Sequence, residues 1–157
     1  MGRYSRSHLN KLQVGRFAEY FSKMEFTLYA FDVYTAEVDD KGIDFVVRKE
    51  HRTSEAEVDY RYYDVQVKAV RGMNYVFFRK DKFPLRDKLL AAVGLFEDGK
   101  LPNLYLIPAT AWYSPDALFV DRGYEGLKSK PEWGLNMSRK NFALLDKYKF
   151  DRTIERI

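Results

Sequence analysis

Residues 62–70 read Tyr-Tyr-Asp-Val-Gln-Val-Lys-Ala-Val, and this stretch limits the choice of fold more than any other. Successive side chains of a strand point to opposite faces. Val65, Val67 and Ala69 therefore share one face, and Asp64, Gln66 and Lys68 share the other. A helix would scatter both sets. The chain thus contains a sheet with an apolar face, and an amide and an ammonium are planted mid-strand. Polar groups inside a sheet are costly unless they find partners, so Gln66 and Lys68 need an explanation.

Further elements can be placed around this strand. Ile43-Asp44-Phe45-Val46-Val47 predicts a second strand, with Asp44 turned away from Ile43, Phe45 and Val47. The aromatic and β-branched run from Phe26 to Tyr34 predicts another, and Asn74 to Phe78 a fourth after the Arg71-Gly72 turn. Glu37 to Gly42 reads as a turn, and the polar stretch Arg48 to Asp59 as a long hairpin loop. Ahead of the strands, Ser7 is a candidate N-cap for a helix from His8 to Glu25. Its apolar stripe would be Leu9, Leu12, Phe17, Phe21 and Met24, with Arg16, Glu19 and Lys23 on another face.

Phe83 to Glu97 fits a helical stripe as well as a strand. A short helical turn near Leu85 is favoured, leading into a hairpin of Ala92–Glu97 and Asn103–Ile107 across Asp98-Gly99-Lys100. Ser114 to Ser138 is rich in loop residues, and Ser138 could cap a last helix over residues 140–147. The order implies an α/β sandwich around a mixed central sheet, with the N-terminal helix on one face. A chain of 157 residues is expected to be one domain, residues 1–157.

Composition excludes several classes of function. Hydrophobic residues at 46% and aromatics at 17% rule out a disordered tail. There is no cysteine, hence no disulfide framework, thiol nucleophile or cysteine-rich zinc site. His8 and His51 are the two histidines, too few for a histidine-rich metal centre. No apolar run is long enough to span a bilayer and no secretory leader is evident, so a cytoplasmic protein with no membrane partner is expected. The formal charge is +4 with pI near 9.1, and the basic excess lies beyond Phe78, which is compatible with a polyanionic partner. The cluster Arg79-Lys80-Asp81-Lys82 follows an apolar strand. Its Arg79, Lys80 and Lys82 suit phosphate contacts or a solvated turn equally well.

The polar residues of the two central strands suggest a chemistry. Magnesium or manganese takes oxygen ligands. Asp44 offers a carboxylate, Gln66 an amide oxygen, Val67 its backbone carbonyl, and Glu19 a second carboxylate from the helix. Such a metal would acidify a water and polarise a phosphoryl oxygen, and the Lys68 ammonium would orient the water and stabilise the developing charge. Solvent-facing polar stripes remain an open alternative for Gln66 and Lys68, and an ordinary surface ion pair for Glu19.

Gly15-Arg16-Phe17-Ala18-Glu19, Gly42-Ile43-Asp44-Phe45 and Gln66-Val67-Lys68 together resemble the PD-(D/E)XK, or restriction-endonuclease-like, nuclease superfamily. Gln66 in the usual acidic position is similar to the Mrr-type branch. Tyr105 to Pro108 and Lys130 to Gly134 add a likeness to the DUF4365-like group of bacterial domains. The resemblance implies a restriction-endonuclease-like fold with its core over about residues 8–80, and a C-terminal hairpin and helix beyond it. It also implies Asp44, Gln66 and Lys68 as catalytic residues, and Asp44, Gln66, Val67 and Glu19 around a magnesium or manganese ion. The resemblance further implies nucleic acid, DNA in particular, as the substrate, and a homodimer as the assembly. The amide at position 66 removes one negative charge from that set. A domain that kept the fold and lost the chemistry, binding nucleic acid or another protein, is therefore the alternative.

Overall fold

A computed structural model describes residues 2–38 and 41–157. Its architecture is mixed α/β: a five-stranded mixed sheet, a separate three-stranded sheet, and helices. The expected turn from Glu37 to Gly42 lies partly outside the described residues.

The first helix, α1, runs Lys11–Leu28 and is capped by Asn10 rather than Ser7. The Asn10 side chain accepts from the Gln13 N–H at 2.9 Å, and the Gln13 side chain accepts from the Asn10 N–H at 2.9 Å, a reciprocal capping box. The buried row is Val14, Ala18, Ser22 and Phe26, each four residues from the last. The expected stripe holds in part: Leu9 and Phe21 pack against the core and Phe17 against Phe96, but Leu12 is 84% exposed and Met24 61%. Small side chains at 18 and 22 let the helix lie close to the sheet, and the Ser22 hydroxyl is satisfied by the Ala18 carbonyl at 2.8 Å. Phe26 completes this row, packed against Phe31, Phe45 and Phe150. That is why the helix overrides the strand expected from Phe26. Only β1, Asp32–Tyr34, remains of it.

β2 (Phe45–Arg52) and β3 (Val58–Arg71) form an antiparallel ribbon that absorbs most of the expected loop. Residues 50–62 are exposed throughout. Both faces of the ribbon meet water there, so no apolar alternation marks the strands. β5 (Leu89–Phe96) runs parallel to β3, and β6 (Asn103–Pro108) antiparallel to β5, giving the order β1-β2-β3-β5-β6. Every residue of β5 is buried. Its odd positions Leu89, Ala91, Val93 and Leu95 enter the core between the two sheets, and Leu90 and Ala92 enter the core under α1. A strand covered on both faces reads as a continuous apolar run, which explains the helix–strand ambiguity in the sequence.

β4 (Tyr75–Arg79) leaves the main sheet. It pairs with β8 (Glu132–Asn136), which pairs in turn with β7 (Phe119–Arg122). Two strands thus lie in the region expected to be loop. Gly134 makes the pairing possible, because a Cβ there would fall 2.0 Å from the Tyr75 hydroxyl. Trp112, 1% exposed, packs against Phe78, Phe83 and Phe119, and its indole N–H donates to the Gly134 carbonyl at 2.7 Å. The expected last helix is broken into a 3₁₀ turn at Arg139–Asn141, α2 at Phe142–Leu145 and a 3₁₀ turn at Asp146–Tyr148, with no side-chain cap from Ser138. α3 (Phe150–Ile154) follows and packs under the main sheet beside α1. Among the described residues no helix is long and apolar enough to cross a membrane.

Candidate functional site

β2 begins at Phe45, opposite Val65, while β3 continues to Arg71 along β5. The edge of β3 is therefore open from residue 67 onward on the side β2 has left. The Asp64 N–H donates to the Lys88 carbonyl at 2.9 Å and the Asp44 N–H to the Val65 carbonyl at 2.9 Å. Even-numbered residues of β3 thus turn their backbone groups toward β5, and odd-numbered residues toward the open edge. The Val67 N–H at that edge donates to Asp44 Oδ2 at 2.6 Å. The Val67 carbonyl faces the same way as its N–H.

Above this edge lies a cleft of about 740 Å³, lined by Lys11, Arg16 and Glu19 of α1 together with Asp44 and Val67. Of the four expected oxygen-donor residues, Asp44, Glu19 and Val67 line this one cleft, and the Asp44–Val67 contact joins two of them directly. Glu19 is also held by its own helix. Its two oxygens accept from Arg16 at 2.8 Å and Lys23 at 2.7 Å, so the anticipated surface ion pairs and the cleft position coexist.

Gln66 and Lys68 project from the other face of β3, into the space between the sheets. Gln66 is 9% exposed, and its Oε1 is buried with no hydrogen-bond partner. Its amide nitrogen lies against Gly42, where a Cβ would sit 3.6 Å from it and 3.1 Å from the Lys82 Cβ. Gly42 has φ +78°, a left-handed conformation that favours glycine. Lys68 Nζ lies over the rings of Phe77 and Phe78, 5.8 and 5.7 Å from their centroids. Burial lowers the Lys68 pKa below the ordinary lysine value; the Asp44 carboxylate opposes that shift and the Lys11 ammonium adds to it. Lys68 thus stands within electrostatic reach of both cleft residues. The solvent-facing alternative for Gln66 and Lys68 does not hold.

The basic cluster after β4 is largely committed to carboxylates. Arg79 forms an ion pair with Asp81, and Lys80 with Asp121. Lys80 also sits 4.0 Å over the Trp133 ring. Lys82 is half-buried beside Gly42, its N–H donating to the Arg79 carbonyl at 3.0 Å. Trp133 anchors its loop, its indole N–H donating to the Phe83 carbonyl at 3.1 Å.

Sequence reasoning missed Lys11 as a cleft residue. Its position became legible only with the Asn10 cap, which makes it the first residue of α1. Among the described residues no group of three or more acidic or histidine side chains is gathered in one place. Comparison with protein-family models, curated proteins and solved structures finds no match to this chain.

Proposed function

We propose that the chain is a magnesium- or manganese-dependent nuclease of restriction-endonuclease-like architecture that hydrolyses phosphodiester bonds, with DNA as its substrate. One observation carries this reading. An acid, Asp44, is fixed by the N–H of the strand that bears Lys68, in a cleft where a second acid and a main-chain edge converge. The main sheet also supports it: after α1 come three antiparallel strands and then, once the chain has passed through β4 of the second sheet, β5 parallel to the third.

The residues present fit a hard divalent cation. The orphaned Gln66 Oε1, on the other face of β3, is a buried acceptor without a donor, which is costly unless something satisfies it; in the cleft itself Asp44, Glu19 and the Val67 carbonyl are oxygen donors. A cation held there would polarise phosphoryl oxygens and acidify water. The chain's own groups do the rest. The Val67 N–H fixes the orientation of the Asp44 carboxylate. The Lys68 ammonium, desolvated between the sheets, donates to charge developing on a phosphoryl oxygen, where low local polarity strengthens the interaction. Because burial weakens its hold on the proton, Nζ is also suited to exchange a proton with the attacking water.

A second reading rests on Gln66, which adds no charge, and on the lack of a three-acid group among the described residues. It makes the domain a nucleic-acid-binding module without hydrolysis. Incubation with plasmid and single-stranded DNA in magnesium or manganese separates the two. Cleavage by wild type that disappears in both Asp44→Ala and Lys68→Ala supports the nuclease. Salt-dependent binding without cleavage supports the module.

A further inference from the structure

We propose that Lys11 is a positioning residue that holds a backbone phosphate of the nucleic acid in the α1 cleft, beside the group attacked at Asp44 and Lys68. The inference rests on the nuclease reading and adds a substrate contact to it.

Three elements define the place. Lys11 from α1, Asp44 from the start of β2 and Val67 from the open edge of β3 line one cleft of about 740 Å³. A phosphodiester lying against Asp44 must continue along this cleft, and its next charges need a cation. Two arginine or lysine side chains line the cleft. Arg16 is occupied by Glu19 at 2.8 Å. Lys11 has no ion pair among the described residues, and its side chain is exposed. Its ammonium is close enough to act on Lys68, and it shares the cleft with Asp44. Nothing in the first turn of α1 is acidic, and of the two carboxylates that line the cleft Glu19 is already paired with Arg16 and Lys23.

The approach is open as well. A Cβ added at Gly15, one turn along the same helix, would meet nothing within 4 Å. Leu12, also at the cleft, is 84% exposed, an apolar surface suited to a sugar or base edge beside a held phosphate. A lysine acts here as a point charge on phosphate and carries no sequence information. The contact therefore adds affinity to any sequence.

The test compares wild type with Lys11→Ala and Lys11→Arg. Alanine is a good helix former and the side chain is exposed, so neither variant is expected to disturb folding. Two readouts are used: manganese-dependent cleavage kinetics, and fluorescence anisotropy of a labelled oligonucleotide across a range of salt. Lys11→Ala is expected to raise KM and weaken oligonucleotide binding about fivefold, with kcat within about twofold. The slope of log affinity against log salt should fall by about 0.7–0.9, the signature of one lost phosphate contact, and Lys11→Arg should restore both. If wild type binds or cleaves and Lys11→Ala matches it in KM, affinity and salt slope, the Lys11 contact is wrong and the nuclease reading stands. If wild type neither binds nor cleaves, both fall together.

Discussion

Replacing Lys68 with methionine should make the protein more stable while abolishing cleavage. The magnitude follows from where the ammonium sits. A charged group wholly removed from water costs several kcal/mol after relaxation. Lys68 is half-buried, and its amine is compensated by two aromatic faces at 5.8 and 5.7 Å, worth about 0.5–1 kcal/mol each, and by attraction to Asp44. The balance is a penalty of about 1–2 kcal/mol against the folded state. Methionine keeps the apolar stem and roughly the volume, so Lys68→Met should gain that amount at pH 7, or about 3–6 °C in Tm for a domain of this size.

The gain must also depend on pH. The folded-state pKa of Lys68 lies below the ordinary lysine value of 10.5. The unfolded chain therefore holds the proton more tightly across the window between the two values. The penalty is complete below the folded pKa, and wild-type stability rises as pH climbs through the window. Thermal unfolding by circular dichroism at pH 7 and pH 10 reads this directly, and the advantage of Lys68→Met should shrink at the higher pH. A Lys68→Met protein less stable than wild type at pH 7, or a difference that does not change with pH, would refute the reasoning. Lys68 would then be a satisfied structural lysine.

Other perturbations test the fold that positions the site. Gly42→Ala forces a Cβ into a left-handed backbone conformation, 3.1 Å from the Lys82 Cβ and 3.2 Å from its carbonyl oxygen. It should cost about 1–3 kcal/mol in urea unfolding and reduce cleavage, because Gly42 sets the chain path into Asp44. Trp112→Ala removes the ring shared by Phe78, Phe83 and Phe119 and orphans the Gly134 carbonyl. A loss of about 3–5 kcal/mol by the same assay is expected.

The central strands were legible in the sequence for a simple reason. Val65, Val67 and Ala69 pack against the apolar cores under α1 while Gln66 and Lys68 sit on the opposite face, so the two faces of the strand differ in polarity with a period of two. The same logic explains what was hidden. The ribbon at residues 50–62 is exposed on both faces, so selection for burial leaves no period there. Val14, Ala18 and Ser22 face the sheet because they are small, yet Leu12 and Met24 dominate an apolarity count. β4 carries a strand's composition, but nothing local says that its partner is β8, more than fifty residues away. For the site, residue types predicted Asp44, Gln66 and Lys68. The open edge of β3 at Val67 and the cleft position of Lys11 depend on where β2 begins and where α1 is capped, and neither boundary is encoded by residue type alone.

Calorimetric titration of the apo protein with manganese, wild type against Asp44→Ala, most directly tests whether these side chains hold an ion. Wild type should bind one equivalent, more weakly than a site with a third carboxylate would, and Asp44→Ala should show no saturable heat. Equal binding by both proteins, or none by wild type at millimolar manganese, would contradict the account.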